Sequence, residues 1–182
     1  MSDAPALDAQ AIADTLRRLA REILGGHVGG RLALVGIYTR GLEVARRLAD
    51  EIAALGVERP AEGALDVSMY RDDLRLRARL TSIQPTRLPL DLDGSRVVIV
   101  DDVFFTGRTI RAALDSLVKY GRPPQVQLAV LVDRGHRELP IRPDYVGANL
   151  STSLRDRVRV RFEALDGEPD AVWLDRTDEK SV

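Results

Sequence analysis

The residues in this 182-residue chain whose types and spacing best suit chemistry begin with two adjacent carboxylates. The run Val97-Val98-Ile99-Val100 leads into Asp101-Asp102, crosses Val103-Phe104-Phe105 and reaches Thr106-Gly107-Arg108-Thr109. In open α/β sheets, ligands gather at the carboxyl ends of strands. The N–H groups of the loop and of the helix start suit a phosphate. Thr106 and Thr109 add hydroxyls, and Gly107 allows close approach of the backbone. Carboxylates beside a phosphate need a partner that is not an anion, such as ribose hydroxyls or Mg²⁺ held partly by water. The spacing matches neither a P-loop nor a dinucleotide-binding fingerprint.

Three further strings have the makings of a site. Val35-Gly36-Ile37-Tyr38-Thr39-Arg40-Gly41 is a second strand end before a helix, and its guanidinium fork suits phosphate oxygens. Tyr70-Arg71-Asp72-Asp73-Leu74 opens an Arg-rich stretch over 71–90, read as a long loop or extended arm. Asp133-Arg134-Gly135-His136-Arg137 follows another apolar run and continues to Glu138-Leu139-Pro140-Ile141-Arg142.

The elements that must position these strings are readable from apolar periodicity. A helix is expected over 8–24 with Asp8 as its N-cap, and another over 42–54. Strands are expected at Leu32–Ile37, Leu65–Tyr70, Arg96–Val100, Val126–Val132, Arg157–Phe162 and 171–174. The Arg96–Val100 strand should end at Asp101-Asp102, with a helix from about Arg108 to Lys119. Residues 133–156 read as loop-rich and 176–182 as a frayed tail. Strands alternating with helices imply a single α/β domain over 1–182 with a mostly parallel sheet flanked by helices.

Composition narrows the chemistry. The chain has no cysteine, which excludes thiolate zinc sites and a cysteine nucleophile. Its two histidines, His27 and His136, exclude a histidine-rich metal centre. Formal net charge is −1, so bulk charge does not point to nucleic acid, although a local basic face can hide in a neutral total. All but two of the 27 basic residues are arginine. No apolar run reaches the roughly 18–20 residues of a membrane helix, and the expected location is the cytoplasm.

The Val97–Thr109 string resembles the phosphoribosyl-diphosphate (PRPP) motif of type I phosphoribosyltransferases. That resemblance implies a fold with a small hood and a mobile arm. It implies PRPP contacts from Thr39, Arg40, Gly41, Asp101, Asp102, Val103, Phe104, Phe105, Thr106, Gly107, Arg108 and Thr109. The acidic pair would meet the ribose 2′- and 3′-hydroxyls, and Thr106 to Thr109 the 5′-phosphate. Thr39 and Arg40 would meet the diphosphate, with Arg71 on a loop closing over it. Asp101, Asp102, Arg40 and Arg71 would be catalytic, with Mg²⁺ held mainly through PRPP and water.

The string from Ala129 through Asp133 to Gly147 narrows the likeness to the PyrR family, uracil phosphoribosyltransferases that also act as pyrimidine operon attenuators. The likeness runs from about residue 7 to about residue 175. It implies conversion of uracil and PRPP to UMP and diphosphate, with uracil near Asp133, Arg134 and Gly135. It implies UMP- or UTP-dependent binding of pyrimidine operon mRNA, and a homodimer or higher homo-oligomer. Arg137 and Arg142 match RNA-contacting arginines of the family.

The chain departs from the family at several points. Arg17 and Arg21 stand on the RNA face of helix 1 where the family carries a Thr and a His, and are taken with Arg137 and Arg142 as the RNA-binding residues; Ala148 replaces a Lys, and Phe104-Phe105 replaces Leu-Tyr. Arg157, Arg159 and Arg161 alternate with apolar residues and could present a basic stripe. A regulator with vestigial catalysis, and a phosphoribosyltransferase for another base, stay open as alternatives.

Overall fold

Residues 4–26, 29–67, 85–89 and 92–177 are described by the structure, a computed structural model. Arg71 and most of the 71–90 stretch lie outside the described residues, as do His27 and residues 178–182.

The chain opens with α1 (Ala9–Gly25), capped by Asp8, whose carboxylate accepts from Ala11 N at 2.8 Å. Ile12, Leu16, Leu19 and Ile23 form its buried stripe, each contributing about 1.5–3 kcal/mol on burial. β1 (Arg31–Ile37) follows, then α2 (Arg40–Ala54), β2 (Ala61–Leu65) and β3 (Ser95–Phe104). α3 (Arg108–Leu117), β4 (Gln125–Asp133) and β5 (Tyr145–Asn149) complete the main layer. The last elements are β6 (Arg157–Arg161), α4 (Glu163–Asp166) and β7 (Ala171–Asp175).

Five strands form one parallel sheet in the order β2-β1-β3-β4-β5. Helices α1 and α2 share the core of one face with Leu34, Val98 and Val100. Helix α3 covers the other face over Val35, Ile99 and Val130. Strands buried on both sides carry continuous apolar runs, which is why β1, β3 and β4 are so plain in the sequence. β6 and β7 pair antiparallel beside this sheet. The α/β class with a mostly parallel sheet is therefore the one observed.

Four sequence expectations need correction. β3 does not stop at the acidic pair: its ladder with β4 continues through Val103↔Val132 and Phe104↔Asp133. Of the strand expected at Leu65–Tyr70, residues 68–70 lie outside the described residues and only Leu65 belongs to the strand observed here, Ala61–Leu65, which pairs with β1. The stretch read as loop over 133–156 contains β5, the edge strand. The β6 arginines are not a free basic stripe, because Arg159 is bound by Asp175 at 2.5 and 2.9 Å and Arg161 by Glu168.

Two sites of close contact fix the layers. Gly36 in β1 lies so near α2 that a Cβ there would overlap Leu42 Cα and sit 2.7 Å from Gly41 O. Arg96 is buried; it donates to Gln127 Oε1 at 2.5 Å, to Ile23 O at 3.2 Å at the end of α1 and to the Tyr145 hydroxyl at 2.5 Å. The carbonyl-rich helix end suits a cation. Arg96→Ala is expected to cost about 2–3 kcal/mol, since it strands those buried acceptors. Urea unfolding checks this; a loss below about 0.5 kcal/mol would make the arginine dispensable.

Candidate active site

The sheet order places its switch point between β1 and β3, whose following helices lie on opposite faces. That is where open α/β sheets bind ligands. Both strings singled out in the sequence end there. Gly41, in the first turn of α2, rests on β3, where a Cβ would be 2.5 Å from Val100 O and 3.3 Å from Asp101 Oδ1. The two loops are thus held together by a glycine contact.

A cavity of about 430 Å³ opens beside this junction. Asp101, Asp102, Val103, Phe104, Phe105, Thr106, Gly107, Arg108 and Thr109 all line it, joined by Ile37, Tyr38, Ile110 and Glu138. Gly107 sits at φ +91°, a left-handed conformation that favours glycine, and opens α3 with no side chain capping it. Arg108 N points to Thr106 Oγ1 at 3.3 Å. The uncapped helix start faces the cavity with its partial positive charge, a ready anion seat.

The acidic pair lies on the cavity wall. Asp101 is buried, and its Oδ1 accepts from Asp102 N at 3.0 Å. Burial pushes the Asp102 carboxyl above the usual carboxylate range, against the opposing pull of hydrogen bonding from Asp101 and of the Arg40 charge. Two carboxylates and one phosphate seat in a single cavity can hold a polyhydroxylated phosphate ester from both ends. Among the described residues no cluster of three or more His, Cys, Asp or Glu could by itself cage a metal ion.

Thr39 is exposed at the start of α2, with no capping bond from its hydroxyl. Arg40 turns away from the cavity toward the β6–α4 segment. Its Nε donates to Val160 O at 2.7 Å and its Nη2 to Asp166 Oδ1 at 2.6 Å. The Asp166 contact was not legible in sequence, since 126 residues separate the partners.

A second, wider cavity of about 1310 Å³ lies at the ends of β4 and β5. Asp133, Arg134 and Gly135 line it, together with Ser151–Asp156, Arg176 and Thr177, none of which the sequence singled out. Arg134 is buried, its guanidinium 4.1 Å over the Phe105 ring and bonded to Ser153 O at 2.8 Å. Its Nε is enclosed and makes no hydrogen bond. Burial pulls this guanidinium below its ordinary pKa, with Asp156 opposing. A buried donor without an acceptor is costly and marks where a ligand carbonyl fits. His136, at φ +62°, is held by Thr152 O at 2.8 Å, a structural tie rather than a catalytic pose.

The residues with an implied RNA role are spread out. Arg137 folds back onto Asp133 and stacks 5.3 Å from the Phe104 ring. Arg17 is paired with Asp14, while Arg18 reaches the β5 carbonyls Val146 O and Gly147 O at 3.2 and 2.5 Å. Arg21 and Arg142 are exposed.

Comparison with known proteins sets these features in context. The phosphoribosyl transferase domain family matches residues 6–158. The chain is 47% identical over 178 residues to the bifunctional protein PyrR of Roseiflexus, covering 97% of each. It is 53% identical over 170 residues to that of Leifsonia xyli, covering 90% of this chain and 92% of the other. A solved hypoxanthine phosphoribosyltransferase of Trypanosoma cruzi superposes with a TM-score of 0.72 at 17% identity, covering 97% of this chain and 98% of its own. That likeness is one of fold.

Proposed function

We infer the function from one premise, that this chain belongs to the PyrR family of phosphoribosyltransferases. It transfers a phosphoribosyl group from PRPP to uracil, yielding UMP and diphosphate, and it regulates pyrimidine operon expression through UMP- or UTP-dependent mRNA binding. The observation that carries the enzymatic reading is the single cavity joining Asp101-Asp102 to the uncapped start of α3.

The residues then take these roles. Amides of the 106–109 loop, with Thr106 and Thr109, hold the 5′-phosphate. Asp101 and Asp102 orient the ribose hydroxyls, and their charge favours the positive ring that forms as the C1′–O bond breaks. Uracil N1 bonds to C1′ as the C1′–O bond breaks, diphosphate departs with that bonding pair, and the N1 proton passes to the departing diphosphate or to water. Thr39, exposed at the start of α2, is assigned to that diphosphate; Arg40 would join it only by leaving Val160 O and Asp166, and Arg71, outside the described residues, is assigned to it by the family likeness alone. The acidic pair is the group that would hold Mg²⁺ through water. When bound with PRPP, the metal neutralises charge on the leaving diphosphate. Arg134 supplies its unpaired Nε to a uracil carbonyl, beside Asp133 and Gly135. Phe105 stacks on Arg134 and excludes water from its other face.

The regulatory reading is supported by family membership and by the exposed Arg21 and Arg142. Among the described residues no helix is long and apolar enough to cross a membrane, which accords with a cytoplasmic enzyme, and a homodimer or higher assembly fits the family.

The direct test is UMP formation from uracil and PRPP with Mg²⁺, with hypoxanthine, guanine and orotate as competitors. Competition by a purine stronger than by uracil overturns the base assignment. A folded protein that binds PRPP without turnover leaves the regulator alone. Arg134→Gln is expected to raise KM for uracil about tenfold or more, the cost of one lost charge-assisted contact, with KM for PRPP within about twofold. Equal shifts in both constants would remove Arg134 from the base.

A further inference from the structure

The Arg134 guanidinium is held by two different restraints. Phe105 lies against its face, which sets its plane. Ser153 O accepts from its Nη2 at 2.8 Å, which sets its rotation within that plane. Together they fix where the unpaired Nε–H points. Phe105 directly follows β3 and is placed by the sheet. Ser153 belongs to no helix or strand, so its carbonyl needs an anchor of its own.

Asp156 supplies that anchor. It is the one buried residue of the 153–156 turn and stands just before β6. Its Oδ2 accepts from Ser153 N at 2.7 Å, and its own N donates to Ser153 O at 3.3 Å, so the turn closes on itself. Its Oδ1 accepts from Thr177 N at 3.1 Å, which ties the turn to the chain beyond β7. The N–H groups of Ser153 and Thr177 hold the Asp156 carboxyl below the usual carboxylate range. Each oxygen meets a donor, a demand that an ionised carboxylate fills and an amide does not.

We propose that Asp156 is a positioning residue for the base: through Ser153 it sets the rotation of Arg134, and with it the direction of the hydrogen bond offered to uracil. The proposal rests on the assignment of Arg134 to a uracil carbonyl made above. Asp156 acts without touching the base. In Asp156→Asn an N–H₂ group faces a backbone N–H, so Ser153 or Thr177 loses its acceptor. The first bond closes the turn and the second anchors it, and losing either lets Ser153 O shift. The guanidinium then turns in its plane against Phe105.

The test is the steady-state kinetics of UMP formation by the parent, Asp156→Asn, Arg134→Gln and the double variant, each first shown to fold by its melting curve. Asp156→Asn raises KM for uracil about fivefold or more, the effect of one misplaced hydrogen bond. KM for PRPP stays within about twofold. In the double variant, KM for uracil exceeds that of Arg134→Gln by less than about twofold, because no guanidinium remains to be misplaced. A merely structural role gives another pattern, in which both KM values rise together or the two changes multiply; either result overturns the proposal. Asp156→Glu keeps both acceptors on a longer stem and is used where Asp156→Asn does not fold. It is expected to raise KM for uracil about threefold, a rise that vanishes on the Arg134→Gln background. No rise, or one that persists there, overturns the proposal. If Arg134→Gln leaves KM for uracil at the parent's value, the base assignment fails and the positioning role falls with it. If Arg134→Gln raises that KM and Asp156→Asn does not, the positioning role alone is wrong.

Discussion

Asp102→Asn is expected to abolish turnover, by at least about a hundredfold, and to leave a protein more stable than its parent. The rate loss follows from geometry: a carboxylate that orients the ribose and faces its developing charge is replaced by a neutral amide of the same shape. The gain in stability follows from burial. Because the native environment pushes the Asp102 carboxyl upward, the folded state holds that proton more tightly than the unfolded chain does. Stability contributed this way is full below the unfolded value, 3.8, and is lost as pH rises through the elevated folded value. At neutral pH, above the unfolded value, this preference for the proton is therefore a cost, and asparagine removes it. The parent's advantage in acid should shrink in the variant. Melting curves between pH 4 and pH 8, beside rates at saturating PRPP, check both halves. Wild-type rates would detach Asp102 from the ribose. A variant less stable than the parent at neutral pH would contradict the burial argument.

Gly36→Ala is expected to carry the largest cost in folding. The three nearest atoms that a Cβ would meet all belong to backbone: Leu42 Cα, Gly41 O and Leu42 N. No side chain can swing aside, so β1 and α2 must separate. Overpacking of this kind costs about 3 kcal/mol or more, a fall in Tm of about 6–12 °C for a chain of this size. The displaced helix begins at Arg40, so KM for PRPP should rise as well. A variant melting within about 2 °C of the parent would mean that strand and helix are not in such close contact.

The sequence was most legible where burial is greatest. β1, β3 and β4 are covered on both faces, and their uninterrupted apolar runs announce them. β2 and β5 are the sheet's edges and carry weaker signals. Ala61-Glu62-Gly63-Ala64-Leu65 has no β-branched residue, and Tyr145–Asn149 includes Gly147 and Asn149. The strand expected to end at Asp101 continued because its neighbour continued, a tertiary fact that local sequence does not hold.

At the site, the residues from Asp101 to Thr109 could be read together because they are contiguous. The partners that finish the arrangement could not. Asp166 meets Arg40 and Ser153 meets Arg134 only after the chain has folded across itself. Glu138 looked like one more surface charge until Thr106 O brought it to the cavity. The basic stripe that β6 could have presented is not free for the same reason, since Arg159 and Arg161 meet carboxylates on β7 and just before it.

The segment before α1 meets the last described strand, β7. Leu7 bridges Val172, with Ala6 N donating to Val172 O at 2.7 Å and Val172 N to Leu7 O at 2.8 Å. During synthesis on the ribosome, the segment around Leu7 must therefore wait for Val172 to be made. At about 5–20 residues per second that interval is on the order of ten to thirty seconds. Throughout it, the apolar stripe of α1 lacks Phe162 and Val172, two members of its final core. A nascent chain halted before Val172 cannot close this seam, and it is the species a chaperone would meet.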